Sequence, residues 1–155
     1  MHDPYAPDDE LSSSVGLAAL LADADVISLH VPLTEETRHL ISARELAAMK
    51  PTATLVSTSR GGVVDEEALL DAVREGRLHS AGLDVFEREP MGRELSPLVA
   101  EPNVITLPHI GSATEATRAA MVDLAVDNIL DVLAERPART PLPGSTAVAG
   151  APVGG

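Results

Sequence analysis

An α/β protein built around a parallel sheet is the fold class this sequence predicts, and two observations carry the prediction. Short apolar, partly β-branched runs alternate with stretches that have the apolar spacing of helices. Strands alternating with helices imply a parallel sheet covered on both faces. The runs are also apolar nearly throughout, as strands buried on both sides require.

The elements follow in order. Ser12, Ser13 and Ser14 offer caps for a helix over Val15–Ala24. Asp25 leads into a strand over Val26–His30, and Pro32 ends it. Ser42 with Glu45 three residues on predicts a capping box for a helix through Met49. Lys50-Pro51 stops that helix, and Ala53–Ser57 reads as the next strand. Asp65 caps a helix through Glu75, with Gly76 at its C-terminal end. Ser80–Phe86 and Asn103–Leu107 are further strands. Ser112 with Glu115 suggests a second capping box, opening a long helix to about Glu135. That helix presents Ala116, Ala120, Leu124, Ile129 and Leu133 on neighbouring faces. Residues 1–136 are expected to form one partial domain, and the Pro- and Gly-rich stretch 137–155 a disordered tail.

Composition narrows the function. A net charge of −13 gives an acidic surface, which disfavours nucleic acid and anionic membrane as partners. Tyr5 and Phe86 are the whole aromatic complement, too few for a base-stacking platform. With no cysteine there is neither a disulfide framework nor a thiolate metal site. His2, His30, His39 and His79 share no ligand spacing, so no metal centre is expected. No apolar run is long enough to span a bilayer, and a soluble cytoplasmic protein is the default expectation.

Chemistry-bearing residues gather at strand ends, where ligands bind in open α/β sheets. Arg60, in Ser59-Arg60-Gly61-Gly62, could grip a carboxylate through two parallel hydrogen bonds, or be a surface arginine in a glycine turn. Asp84 is an acid inside an apolar strand and needs a partner to offset its desolvation. Glu87 and Glu89, each taken singly, read first as solvated loop acids. His109 lies between a strand and a helix, suited to proton transfer or to a purely structural turn, and Glu89 is the carboxylate to pair with it. Together these residues would converge on one rim of the sheet.

Four segments in order resemble the D-isomer-specific 2-hydroxyacid dehydrogenase family: Ile27–Thr34, Ser59–Glu66, Gly82–Pro90 and Pro108–Thr114. The resemblance runs from about His2 to Glu135 and implies a Rossmann-like sheet that lacks its first βα unit. Around His109, with Thr117-Arg118 and Met121, it is most similar to the glyoxylate and hydroxypyruvate reductase branch. It implies that Arg60 binds the substrate carboxylate, that His109 donates a proton to the keto oxygen, and that Glu89 orients His109. It implies that Asp84 accepts a hydrogen bond from the nicotinamide amide. Val31, Thr58, Ser59, Gly111 and Ser112 match positions lining the cofactor, as do Arg60 and His109. Asp3 matches the acid that bonds the adenosine ribose and repels a 2′-phosphate, which points to NAD over NADP. Ser57 departs from the family's usual Asn. Glu89 argues against formate as substrate, since related formate dehydrogenases carry Gln there.

The substrate implied is a small 2-keto acid such as glyoxylate or hydroxypyruvate, and the full-length parent is expected to be a homodimer. The phosphate-cradling G-x-G-x-x-G loop should precede Asp3 and is not in this sequence. Val26–His30 is read as strand 3 of the order 3-2-1-4-5-6, which places a gap in mid-sheet: the flanking strands either pair directly in a register foreign to the family or leave two open edges, and little activity is expected of the chain alone. A non-enzymatic nucleotide-sensing corepressor with the same motifs, and an inactive gene fragment, are the alternatives.

Overall fold

The computed structural model describes residues 1–3, 13–90 and 95–142. The chain divides into two units, Met1–Gly111 and Ser112–Gly155. The break lies before the long helix rather than at 136/137, where composition changes.

In the first unit the order is α1 (Leu17–Asp23), β1 (Val26–Leu29), α2 (Ala43–Ala48), β2 (Thr54–Ser57), α3 (Glu66–Arg74), β3 (Ser80–Leu83), a 3-10 turn (Pro97–Ala100) and β4 (Val104–Thr106). Local chemistry explains most boundaries. Ser42 and Glu45 form the capping box expected for α2. The Asp65 carboxylate accepts from the backbone N–H groups of Glu67 and Ala68 and starts α3. Gly76 takes a left-handed φ of 68° just past the end of that helix, a conformation that costs glycine little. The N-cap of α1 is Gly16 rather than Ser13 or Ser14, and Ser12 lies outside the described residues.

The four strands are parallel and stand in chain order, β1-β2-β3-β4. Val26 to Leu29 lie opposite Thr54 to Ser57, so the two strands pair directly and leave no open edges between them. Successive crossovers of one hand step the chain along the sheet and need no intervening strand. The Val26–Leu29 strand is therefore not the third strand at a far edge. It opens the run of strands that a doubly wound sheet places in sequence order on one side of its centre.

That order also decides which face is covered. Ile27, Leu55, Ala81 and Val104 align across the sheet and are all buried. On the opposite face Val26 is 64% exposed and Ile105 71% exposed. Helices on both faces were expected. Within this unit α1, α2, α3 and the 3-10 turn adjoin one another in the same order as the strands. Crossovers of one hand running in one direction keep every connection on the same side. The core between the helices and the sheet includes Leu21, Ile41, Leu46, Leu69, Leu78 and Leu98.

The second unit holds α4 (Glu115–Leu133). Its cap is Thr114, whose side chain accepts from the Thr117 N–H, rather than Ser112 of the expected capping box. Part of the stretch expected to be disordered is ordered: the Arg139 guanidinium donates to Asp127 at 2.6 Å, and the Asn128 side-chain amide donates to Thr140 Oγ1 at 2.9 Å. Those side chains find partners on α4 that composition does not reveal. Residues 143–155 lie outside the described residues.

Candidate active site

The carboxyl ends of β1 and β2 open into a cleft of about 570 Å³, lined by His30, Val31, Pro32, Leu33, Thr58, Ser59 and Arg60. Val31, Thr58, Ser59 and Arg60 are among the residues singled out from the sequence. His30, Pro32 and Leu33 were not, although their position just after a strand end was signal enough. The exposed Arg60 guanidinium donates to the Ser59 carbonyl at 2.7 Å. The Ser59 hydroxyl is buried and has no hydrogen-bond partner among the described residues. An orphaned hydroxyl on the wall of a strand-end cleft is a group that a bound polar ligand would satisfy.

A second group of side chains lies beyond β3 and β4. Glu89 Oε2 is 2.6 Å from His109 Nδ1, and Glu89 Oε1 accepts from the Phe86 N–H at 2.7 Å. The carboxylate is thus held by its own loop while it meets the imidazole. The His109 side chain is 46% exposed, open to a reactant, and its backbone has a left-handed φ of 54°. Asp84 holds that turn. Its two carboxylate oxygens accept from the Ile110 N–H at 2.8 Å and the Gly111 N–H at 2.7 Å. A β3 strand continuing to Phe86 was expected. The strand stops at Leu83, and Asp84 turns its side chain to this work. At 4% exposure, Asp84 is a buried brace for the His109 turn.

Close packing joins the loops. A Cβ at Gly61 would lie 1.8 Å from the Phe86 carbonyl oxygen, so the Arg60 turn and the Glu89 loop meet backbone to backbone. The Asp84 N–H donates to the Ser57 carbonyl, which ties the ends of β2 and β3 together. Ser57 is 2% exposed and its hydroxyl also lacks a partner among the described residues. Asp3 is partly exposed, on a segment held where the Met1 carbonyl accepts from the Val15 N–H. Gly111 ends the first unit, and the exposed Ser112 begins the second. Among the described residues no cluster of three His, Asp or Glu side chains could hold a metal ion, and no helix is long and apolar enough to cross a membrane.

Residues 1–111 match the family described as D-isomer specific 2-hydroxyacid dehydrogenase, NAD binding domain. The chain belongs to this family. Among its relatives, glyoxylate/hydroxypyruvate reductase B of Escherichia fergusonii is 54% identical over 117 residues, covering 76% of this chain and 36% of the relative. The crystal structure of the TT0316 protein from Thermus thermophilus is 46% identical with a TM-score of 0.83, over 89% of this chain and 44% of that one. The NADPH-dependent glyoxylate/hydroxypyruvate reductase of Sinorhizobium meliloti, solved with NADP and malonate, is 38% identical with a TM-score of 0.80, over 88% and 43%. This member of the 2-hydroxyacid dehydrogenase family thus spans well under half the length of the relatives it matches. Its directly paired β1 and β2 belong to an arrangement shared with those longer chains, not to a pairing forced by a missing strand.

Proposed function

We propose that the protein to which this chain belongs reduces a small 2-keto acid of the glyoxylate or hydroxypyruvate type to the D-2-hydroxy acid. The single observation that carries the reading is the 2.6 Å contact between Glu89 and His109 Nδ1 at a strand-end rim. With Nδ1 engaged by the carboxylate, Nε2 is the edge of the ring left to face a reactant. Glu89 keeps the imidazole oriented. His109 donates a proton to the keto oxygen. Arg60 grips the substrate carboxylate and polarises the carbonyl, a task for which a planar guanidinium is suited.

The cleft walls fit a dinucleotide: Val31, Thr58, Ser59 and Arg60 line them, and Ser59 brings an unsatisfied hydroxyl. Gly111 and Ser112, beside His109, complete the residues assigned to that cofactor. When bound, the nicotinamide supplies the hydride that reduces the carbonyl carbon. Asp84, which holds the turn that presents His109, also accepts a hydrogen bond from the nicotinamide amide. Asp3 favours NAD over NADP, because a carboxylate bonds a ribose diol and repels a 2′-phosphate. A homodimer in the cytoplasm is part of the same proposal.

The test is to fuse this chain behind the N-terminal portion of its Escherichia fergusonii relative and follow NADH oxidation with glyoxylate and hydroxypyruvate. Turnover that disappears in H109Q supports the reading. Turnover indifferent to H109Q, or a folded fusion inert toward every 2-keto acid tried, sinks it.

A further inference from the structure

The geometry points to His39 and Glu87 as positioning residues that hold the Arg60 turn and the Glu89 loop at a fixed separation. Neither residue lines the cleft, and neither was given a role by the motifs.

His39 reaches both loops. Its backbone N–H donates to the Gly62 carbonyl at 2.8 Å, in the turn that carries Arg60. Its Nε2 lies 3.2 Å from Glu87 Oε1, two residues before Glu89. Its Nδ1 faces Asp65 Oδ2 at 3.9 Å, on the residue that caps α3. The backbone at His39 is left-handed, with φ 49°, a conformation that carries some steric cost in a residue with a Cβ.

Glu87 is the meeting point. Besides His39, its Oε1 accepts from the Glu66 N–H at 3.4 Å, and the Glu87 N–H donates back to Glu66 Oε1. Glu66 in turn accepts from the Ser96 hydroxyl at 2.9 Å, on the far side of the Glu89 loop. The loop is therefore anchored before and after Glu89 to the start of α3. One carboxylate and one imidazole bridge segments 48 residues apart in the chain. A surface pair of this kind contributes little to global stability. Its contribution is to location: it sets where the Glu89 carboxylate stands when it meets His109.

The assignment rests on the catalytic reading of Glu89 and His109, and its test separates the two. In the full chain, amide exchange of Phe86, whose N–H is bonded to Glu89, is measured together with the downfield proton resonance of the His109 imidazole. E87A removes the meeting point. H39N keeps a residue that tolerates left-handed backbone but is too short to reach Glu87. Both are expected to speed Phe86 exchange roughly fivefold to tenfold and to broaden the His109 resonance, with core amides such as Leu55 unchanged. E87Q retains the acceptor oxygen and is expected to behave as the native chain. E89A is the reference in which both signals are lost. Native signals in E87A and H39N overturn the positioning role, as does uniform acceleration of the core amides or an E87Q as damaging as E87A. Failure of E89A to alter either signal overturns the Glu89–His109 pairing itself.

Discussion

The Phe86 carbonyl oxygen stands 1.8 Å from where a Cβ on Gly61 would be. The residue after Arg60 therefore cannot carry a side chain unless one of two loops moves. G61A is expected to lower unfolding free energy by about 2 kcal/mol or more, because the obstruction is backbone rather than a flexible side chain. Urea denaturation measures it, and a neutral G61A would mean that the two turns separate freely.

Asp84 is braced against two backbone donors with 4% exposure. D84N points a new donor at one of those N–H groups and leaves it unsatisfied. The expected cost is about 1–3 kcal/mol. It should be felt first at the His109 turn, as faster amide exchange at Ile110 and Gly111. D84A should be as damaging or worse. Unchanged protection at both amides in D84N contradicts the brace.

Activity should separate the roles of the rim residues. In the fusion with a relative's N-terminal portion, H109Q is expected to lower kcat by about 10²–10⁴, the usual contribution of a positioned acid or base. E89Q should lower kcat with little effect on KM. R60K should act mainly on KM for the keto acid, since a lysine cannot reproduce the two-pronged grip. An R60K enzyme with native KM would remove Arg60 from substrate binding.

Glu45 gives a pH dependence whose sign is fixed. Burial works to raise its pKa, but hydrogen bonds from Ser42, Arg44 and the Ser42 backbone overcome it and hold the carboxyl at about 2, against an ordinary 4.5. A folded-state pKa below the unfolded one contributes stability that is fully present above the unfolded value. That contribution is lost as pH falls through the folded value. Stability from this group should therefore be flat above about pH 4.5 and decline towards pH 2. In E45Q that part of the decline should vanish, while the stability at pH 7 is lower than native. Identical acid profiles for the two proteins would show that Glu45 is not held as described.

Much of the fold lay in local chemistry, and for that reason it was legible. The capping box at Ser42 and Glu45, the Asp65 cap and the Gly76 terminus involve neighbours a few residues apart, and each forms as sequence spacing indicates. The Glu89–His109 pair was also legible, because its motifs carry the chemistry in their wording. Local signals failed where neighbours compete. Thr114 rather than Ser112 caps α4, and spacing alone could not rank the two hydroxyls.

What the sequence by itself determined is the set of parts: parallel strands, their helices, and an arginine, a glutamate and a histidine at strand ends. Tertiary structure alone decided that β1 lies directly against β2, that one sheet face of the first unit is covered, and that Asp84 turns inward to brace His109. It also decided that His39 reaches Glu87. These are contacts between residues far apart in the chain. Periodicity and capping act within a turn or two of backbone, whereas the partners of a buried carboxylate or a strand edge are chosen only when the whole sheet closes around them.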